Sequence, residues 1–316
     1  MFRRSVLLIL ALVAGTQEIF AKTSHFKSLG ITIAVADSAD GSALNSASDE
    51  YTRSLSPFDL TIRFGKNGLT EGDYLREAAK DTRNWTTESI SKLQEVFGEI
   101  ESAVEQHQIK LNLPDTIFII STAGTTEFGA AGWTRSNKIM LNLADEKVSS
   151  HLVAHELFHV FSRNNPSVRD AIYEVFGFKP CNAIDYKTAV PHAITNPDCP
   201  VLEHYITVET EGRSVDGTLL LYSTKEYFPG FSLSEAAGVG LLVLQGPTSN
   251  KQPLIEEGRA LMLALNDVPD LFRQISVNTQ YILHPEEIAA EHFASLVTGS
   301  KLNQPEFGEK MLKVLQ

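Results

Sequence analysis

The sequence predicts an α+β fold. A mixed sheet backed by one helix leads into a histidine-bearing helix, and a mainly helical second half with a hairpin follows. Three observations carry this expectation. Apolar residues recur every three to four positions between about Thr86 and Lys110, two short apolar runs rich in branched residues follow, and a helical period returns at 149–165 and again at 283–297. The chain has 316 residues, 43% apolar and 21% charged, enough for one large domain or two unequal lobes.

In chain order, Arg3 and Arg4 precede an uncharged run from Val6 to Ala14, and Ala21 offers a small residue for cleavage. This is the pattern of a signal peptide over residues 1–21. The run is about half of the roughly 20 residues that a membrane span needs. The expectation is therefore an exported chain, secreted or periplasmic, without a permanent membrane anchor. Losing Arg3, Arg4 and Glu18 moves the formal charge from −12 to −13. That balance disfavours nucleic acid and anionic membranes as partners.

Residues 22–83 are expected to contribute two strands, "ITIAVAD" from Ile31 and "FDLTIRFG" from Phe58, packing on or preceding a main domain of residues 84–316. Ile90, Leu93, Phe97, Ile100 and Val104 then make one apolar stripe on the backing helix. "TIFIIS" from Thr116 reads as a buried strand. "KIMLNL", where Ile139, Leu141 and Leu143 alternate with Met140 and Asn142, reads as a strand with one covered face.

Beyond the histidine helix, Cys181 and Cys199 lie in the exported part and are expected to form a disulfide. "HYITVET" and "GTLLLYST" suggest a hairpin, and helical runs are expected from about Ser232 and Pro253.

The chemistry concentrates in "SSHLVAHELFHVFSRNN". Val153, Leu157, Val160 and Phe161 form an apolar stripe, and His151, His155 and His159 form another. His155-Glu156-x-x-His159 puts two imidazoles one turn apart, able to reach one ion, with Glu156 beside them as a general base for an ion-activated water. His151 cannot join, because three ligands along one helix span about 12 Å; it reads as a helix-start residue. A histidine third ligand three residues beyond a glycine is excluded, since those places hold Ser162 and Asn165.

A carboxylate from a second helix is the other solution. "LHPEEIAAEHFASLV" supplies Glu287, with Glu291 one turn on, placed to accept from the outer nitrogen of a ligand histidine. Glu291, His292 and His284 are alternatives for the ligand role. Glu286 is explained by the helix dipole.

"HELFH" followed by "EEIAAEHFA" resembles the gluzincin zinc metallopeptidases, the thermolysin-like class. The resemblance covers two helices and the strand–helix context before them. It implies a zincin-like two-lobe fold, one Zn2+ per chain held by His155, His159 and Glu287, Glu156 as general base, and Glu291 supporting a ligand. It also implies a peptide or protein substrate, which would pair along "KIMLNL" as the sheet edge. The step of 128 positions from His159 to Glu287 is longer than that class shows. His204 and Tyr205 are candidates to stabilise the developing oxyanion, with Tyr222 and Tyr227 behind them. Two other readings stand beside a peptidase: a secreted zinc hydrolase of a non-peptide bond, and a noncatalytic binding protein of the same fold.

Overall fold

The computed structural model describes residues 23–142 and 148–316. The expected signal peptide of residues 1–21 and Leu143 lie outside them. Among the described residues, no helix is long and apolar enough to cross a membrane.

The chain opens with β1 (Ser24–Ser28), β2 (Ile31–Ala36) and four helices: α1 (Ser38–Asn45), α2 (Glu50–Ser54), α3 (Pro57–Phe64) and α4 (Glu71–Asp81). Next come α5 (Thr87–Gln106), β3 (Thr116–Thr122), β4 (Gly132–Arg135), β5 (Lys138–Asn142), α6 (Ser150–Asn164) and α7 (Pro166–Val175). The second half holds β6 (Phe178–Pro180), β7 (His204–Thr210), β8 (Arg213–Ser223), α8 (Leu233–Ala236) and β9 (Ala237–Gln245). Four short strands follow, β10 (Gln252–Pro253), β11 (Ile255–Glu256), β12 (Arg259–Ala260) and β13 (Met262–Ala264), then α9 (Pro269–Ile275), α10 (Pro285–Thr298) and α11 (Pro305–Leu315).

The fold is mixed α/β around a mixed sheet of order β1-β2-β3-β5-β4. β3 is parallel to both β2 and β5, while β1 and β4 run antiparallel at the two edges. The strand period sorts side chains by face. Ile33, Val35, Ile117, Ile119, Ile139 and Leu141 join the core formed with α5, α6 and α10. Ala36, Ile120, Met140 and Trp133 pack on the opposite face, beside Leu44 of α1.

Several expectations are corrected. "KIMLNL" is an inner strand: β4, from the Gly-rich connection, pairs with β5 and takes the edge. "FDLTIRFG" is helical, because its end signals outweigh its branched composition. Ser56 Oγ accepts from the Asp59 N–H (3.0 Å), the Asp59 carboxylate accepts from the Ser56 N–H (2.9 Å), Pro57 starts the helix, and Gly65 closes it in the left-handed region at φ 69°.

The second half is not mainly helical. The expected hairpin is β7–β8, but it belongs to a six-stranded antiparallel sheet of order β10-β9-β8-β7-β6, with β13 also on β9. The helix expected at Ser232 is a single turn leading into β9, and Pro253 lies in a strand. "AGVGLLVLQ" has branched residues and glycines that suit a sheet centre; Gly217 and Gly240 lie so close to Leu241 and Met262 that a Cβ would clash.

The disulfide is absent: Cys181 and Cys199 are free thiols, not at bonding distance. Cys181 follows β6 and packs toward the antiparallel sheet, whereas Cys199 lines a cavity beside Glu286. Proximity in sequence did not align the two Cβ vectors.

Candidate metal centre

α6 begins at Ser149, whose hydroxyl accepts from the Leu152 N–H (3.2 Å). It buries Val153, Leu157, Val160 and Phe161 completely or nearly so. That packing fixes the rotation of the helix and so the direction of the other stripe. α10 crosses it, with Ala289, Ala290 and Ala294 buried; their small side chains allow a close approach. His155, Glu156, His159 and Glu287 are exposed by only 7%, 2%, 0% and 0%.

The ring nitrogens of His155 and His159 converge on one carboxylate oxygen. His155 Nε2 lies 3.0 Å and His159 Nε2 3.5 Å from Glu287 Oε2, and the ligand atoms of the three residues lie within 4.8 Å of one another. The rings are nearly perpendicular, at 83° with centroids 4.7 Å apart.

The outer nitrogens are held from behind. His155 Nδ1 is 3.0 Å from Glu291 Oε1, and His151 Nε2 is 3.4 Å from the same oxygen. His159 Nδ1 is 2.8 Å from Glu286 Oε1. Glu286 also accepts from the Ser162 and Tyr173 hydroxyls. Each histidine thus has a carboxylate orienting its ring from the side opposite the cluster, the arrangement that fixes the tautomer of a metal-bound imidazole. On the near side, Asn196 Nδ2 donates to Glu287 Oε1.

Burial disfavours a charged imidazole, yet hydrogen bonds to Glu287 and Glu291 raise His155 to about 9. His159 is likewise raised well above its usual range against burial, by Asp198, Glu287 and Glu286. Burial opposes ionisation of Glu287 too, but the two imidazoles hold its pKa well below the usual carboxylate range. The His151 and His155 hydrogen bonds bring Glu291 down to about 2. The pocket therefore concentrates positive charge on two rings facing buried carboxylates. His159 Nε2, 3.5 Å from Glu287, and His155 Nδ1, 3.0 Å from Glu291, are both buried outside hydrogen-bond geometry. A two-nitrogen, one-oxygen set with an orphaned ring nitrogen fits a divalent cation such as zinc.

Glu156 belongs beside this set. Thr134 Oγ1 donates to its Oε2 at 2.8 Å. Gly132, two residues earlier on the same face of β4, is so close that a Cβ would sit 2.8 Å from Oε1. Glycine there leaves room for the carboxylate. Burial is the main cause of the raised pKa of Glu156.

The other candidates lie elsewhere. His204 Nε2 is 3.0 Å from Asp170 Oδ1, and its ring packs 4.6 Å from Tyr173, on the outer side of Glu286. The Tyr205 hydroxyl meets Thr248 Oγ1 at 3.2 Å, and Lys251 Nζ lies 4.7 Å from the ring centre. Tyr222 bridges to Ala193, and Tyr227 lines a groove with Phe58 and His192. His284 caps α10, its Nδ1 accepting from the Glu286 N–H at 3.0 Å. His292 Nδ1 is 2.7 Å from the Ile288 carbonyl oxygen, and its Nε2 is 3.1 Å from Ser276 Oγ.

Three groups escaped the sequence reading. Glu286 acts on His159 as well as at a helix start. Asp198 groups with Glu156 and His159 within 4.8 Å. Tyr281, 45% exposed, sets its ring 6.0 Å from that of His155, and the charge of Glu287, then burial, keeps its proton on. A signal existed for Glu286: if Glu291 orients one ligand histidine, the other wants a carboxylate too. For Asp198 and Tyr281, both in irregular segments, the sequence offers none.

No protein-family model, curated protein or solved structure matches this chain.

Proposed function

We propose that the protein is an exported, secreted or periplasmic, single-zinc metallopeptidase of gluzincin type. In this reading the mixed sheet with α5 and α6 is the upper lobe of a zincin-like two-lobe fold, and the segment from β6 to α10 is the lower. The observation that carries it is the convergence of two imidazole nitrogens and Glu287, each imidazole backed by its own carboxylate.

His155, His159 and Glu287 would hold the ion, with Glu291 and Glu286 orienting the rings. An ion held there supplies Lewis acidity toward a carbonyl oxygen and toward water. Glu156 takes the proton of the attacking water on Oε1, since Oε2 is engaged by Thr134, and later returns it to the departing nitrogen. Burial raises its pKa, which favours keeping the proton once it is taken. Tyr281 takes the oxyanion-stabilising role, its phenol protonated and partly exposed beside His155. Peptide or protein is the favoured substrate because the antiparallel edge strand β4 flanks Glu156, and an extended chain pairs with such an edge.

The test is metal content together with cleavage of casein. Wild type is expected to carry one zinc per chain, Glu287→Ala to lose it, and Glu156→Gln to keep it while casein cleavage drops roughly 10²- to 10⁴-fold. A Glu156→Gln protein cutting as fast as wild type would defeat the role given to that residue.

A further inference from the structure

The side of the metal centre facing β4 is crossed by residues 195–199. Thr195 is pinned to Asp59, its N–H and hydroxyl donating at 2.8 and 2.7 Å, while its carbonyl accepts from Arg63 at 3.0 Å. Arg63 is itself buried, bonded to Glu127 and paired with Asp59. Asn196 reaches Glu287. Asp198 Oδ1 accepts from the Thr134 N–H at 2.6 Å, and its carbonyl accepts from Arg163 at 2.9 Å.

Two features of Asp198 go together. Thr134 lies on the edge strand, and its N–H points away from β5, where an extended substrate would seek its first backbone partner. A carboxylate oxygen of Asp198 also lies within 4.8 Å of a carboxylate oxygen of Glu156 and a ring nitrogen of His159. A carboxylate needed only to satisfy one N–H gains nothing by standing beside another buried carboxylate. The repulsion is offset where a cation lies between them.

We infer that Asp198 is a built-in occupant of the metal centre, and that Thr195–Cys199 is a strap that competes with substrate for β4 and slows turnover until it is displaced. This rests on the metallopeptidase reading. The strap mimics a substrate twice, giving an acceptor to the edge strand and a carboxylate to the ion's free side. It is anchored by Asp59, Arg63 and Arg163, none of which belongs to the ligand set. Release therefore requires breaking this small set of charge-assisted hydrogen bonds together with the one from Asn196 to Glu287.

The experiment loads the full chain with Co2+ to record its visible spectrum, and measures Zn2+ affinity by chelator competition. It compares wild type, Asp198→Asn, Asp198→Ala and Arg163→Gln, each checked for an unchanged melting transition. Both Asp198 variants are expected to shift the cobalt spectrum and bind zinc roughly 10- to 100-fold more weakly. They and Arg163→Gln, which loosens the strap without touching the ligands, are expected to cut casein faster than wild type. Metal bound in wild type, with spectrum and affinity unchanged in both Asp198 variants, overturns the inference alone. Slower cleavage in Arg163→Gln with metal retained also overturns it. A wild type that takes up neither ion overturns the metallopeptidase reading beneath it.

Discussion

Two pairs of buried histidines lie on either side of Tyr173 and Glu286, and the protein treats them oppositely. His155 and His159 are pushed toward the charged form, the first to about 9. His204 and His284 are pushed toward the neutral form, His284 to about 3, chiefly by burial and then by repulsion from His204. Burial alone disfavours charge on an imidazole in both places. What differs is the company. Glu286, Glu287 and Glu291 surround the first pair, whereas His284 has a backbone N–H on one nitrogen and no partner on the other. The second pair lines a cavity of about 120 Å3 in which Arg163 and Arg169 stand among Glu50, Asp198, Glu203 and Glu286. At the proposed centre the buried imidazoles titrate against the direction burial dictates, and at the second pair they follow it.

The comparison breaks most visibly at the ligands. His159→Ala should abolish stoichiometric metal, whereas His204→Ala should leave it in place; elemental analysis of both folded variants decides. If His204→Ala lost the metal equally, the two pairs would not be functionally distinct.

A smaller effect comes from the orienting carboxylates. Glu286→Gln and Glu291→Gln should each weaken zinc binding roughly 10- to 100-fold, while Asp170→Asn, which changes the partner of His204, should leave affinity near wild type. Competitive chelation provides the measurement.

Smaller again is Gly132→Ala, whose Cβ would press on the Glu156 carboxylate and on Leu152 without touching the histidines. We expect about a tenfold loss in kcat with zinc affinity unchanged. A parallel fall in affinity would place Gly132 under the metal rather than under the base.

The least effect at neutral pH belongs to His284. Above about 6.5 it is neutral folded and unfolded, so it adds no pH dependence. Between about 6.5 and 3 the unfolded chain takes up a proton that the folded chain refuses, and stability falls by something on the order of a few kcal/mol. His284→Asn keeps a side chain able to cap α10 and should lose less stability between pH 7 and pH 4.5 in denaturant titrations. His155 runs the other way in the metal-free chain. Its contribution is complete below about 6.5 and disappears as pH rises through about 9.

The first pair was legible in the sequence and the second was not, for a physical reason. His155, Glu156 and His159 sit on one helix, and Glu287 and Glu291 on another, so each subset obeys a helical period that spacing reveals. His204 and His284 meet only because a strand and a helix cap pack against Tyr173, and no period links them. The same division runs through the fold. α5, β3, α6 and α10 follow from local pattern, and so does the β7–β8 hairpin. α3 was misread because branched residues imitate a strand, although Ser56, Pro57, Asp59 and Gly65 mark a helix. β9 was missed because Gly240 gains meaning only beside Met262, and Leu241 only beside Gly217 of β8. Asn196 and Asp198 belong to a loop whose contacts are all distant in sequence.

β2 lies inside the mixed sheet rather than along its rim, parallel to β3 from Thr32 to Ala36. Loss of residues 23–83 would therefore remove an interior strand, with the α3 helix that ties down Thr195, and leave the backbone hydrogen-bonding edge of β3 unpaired.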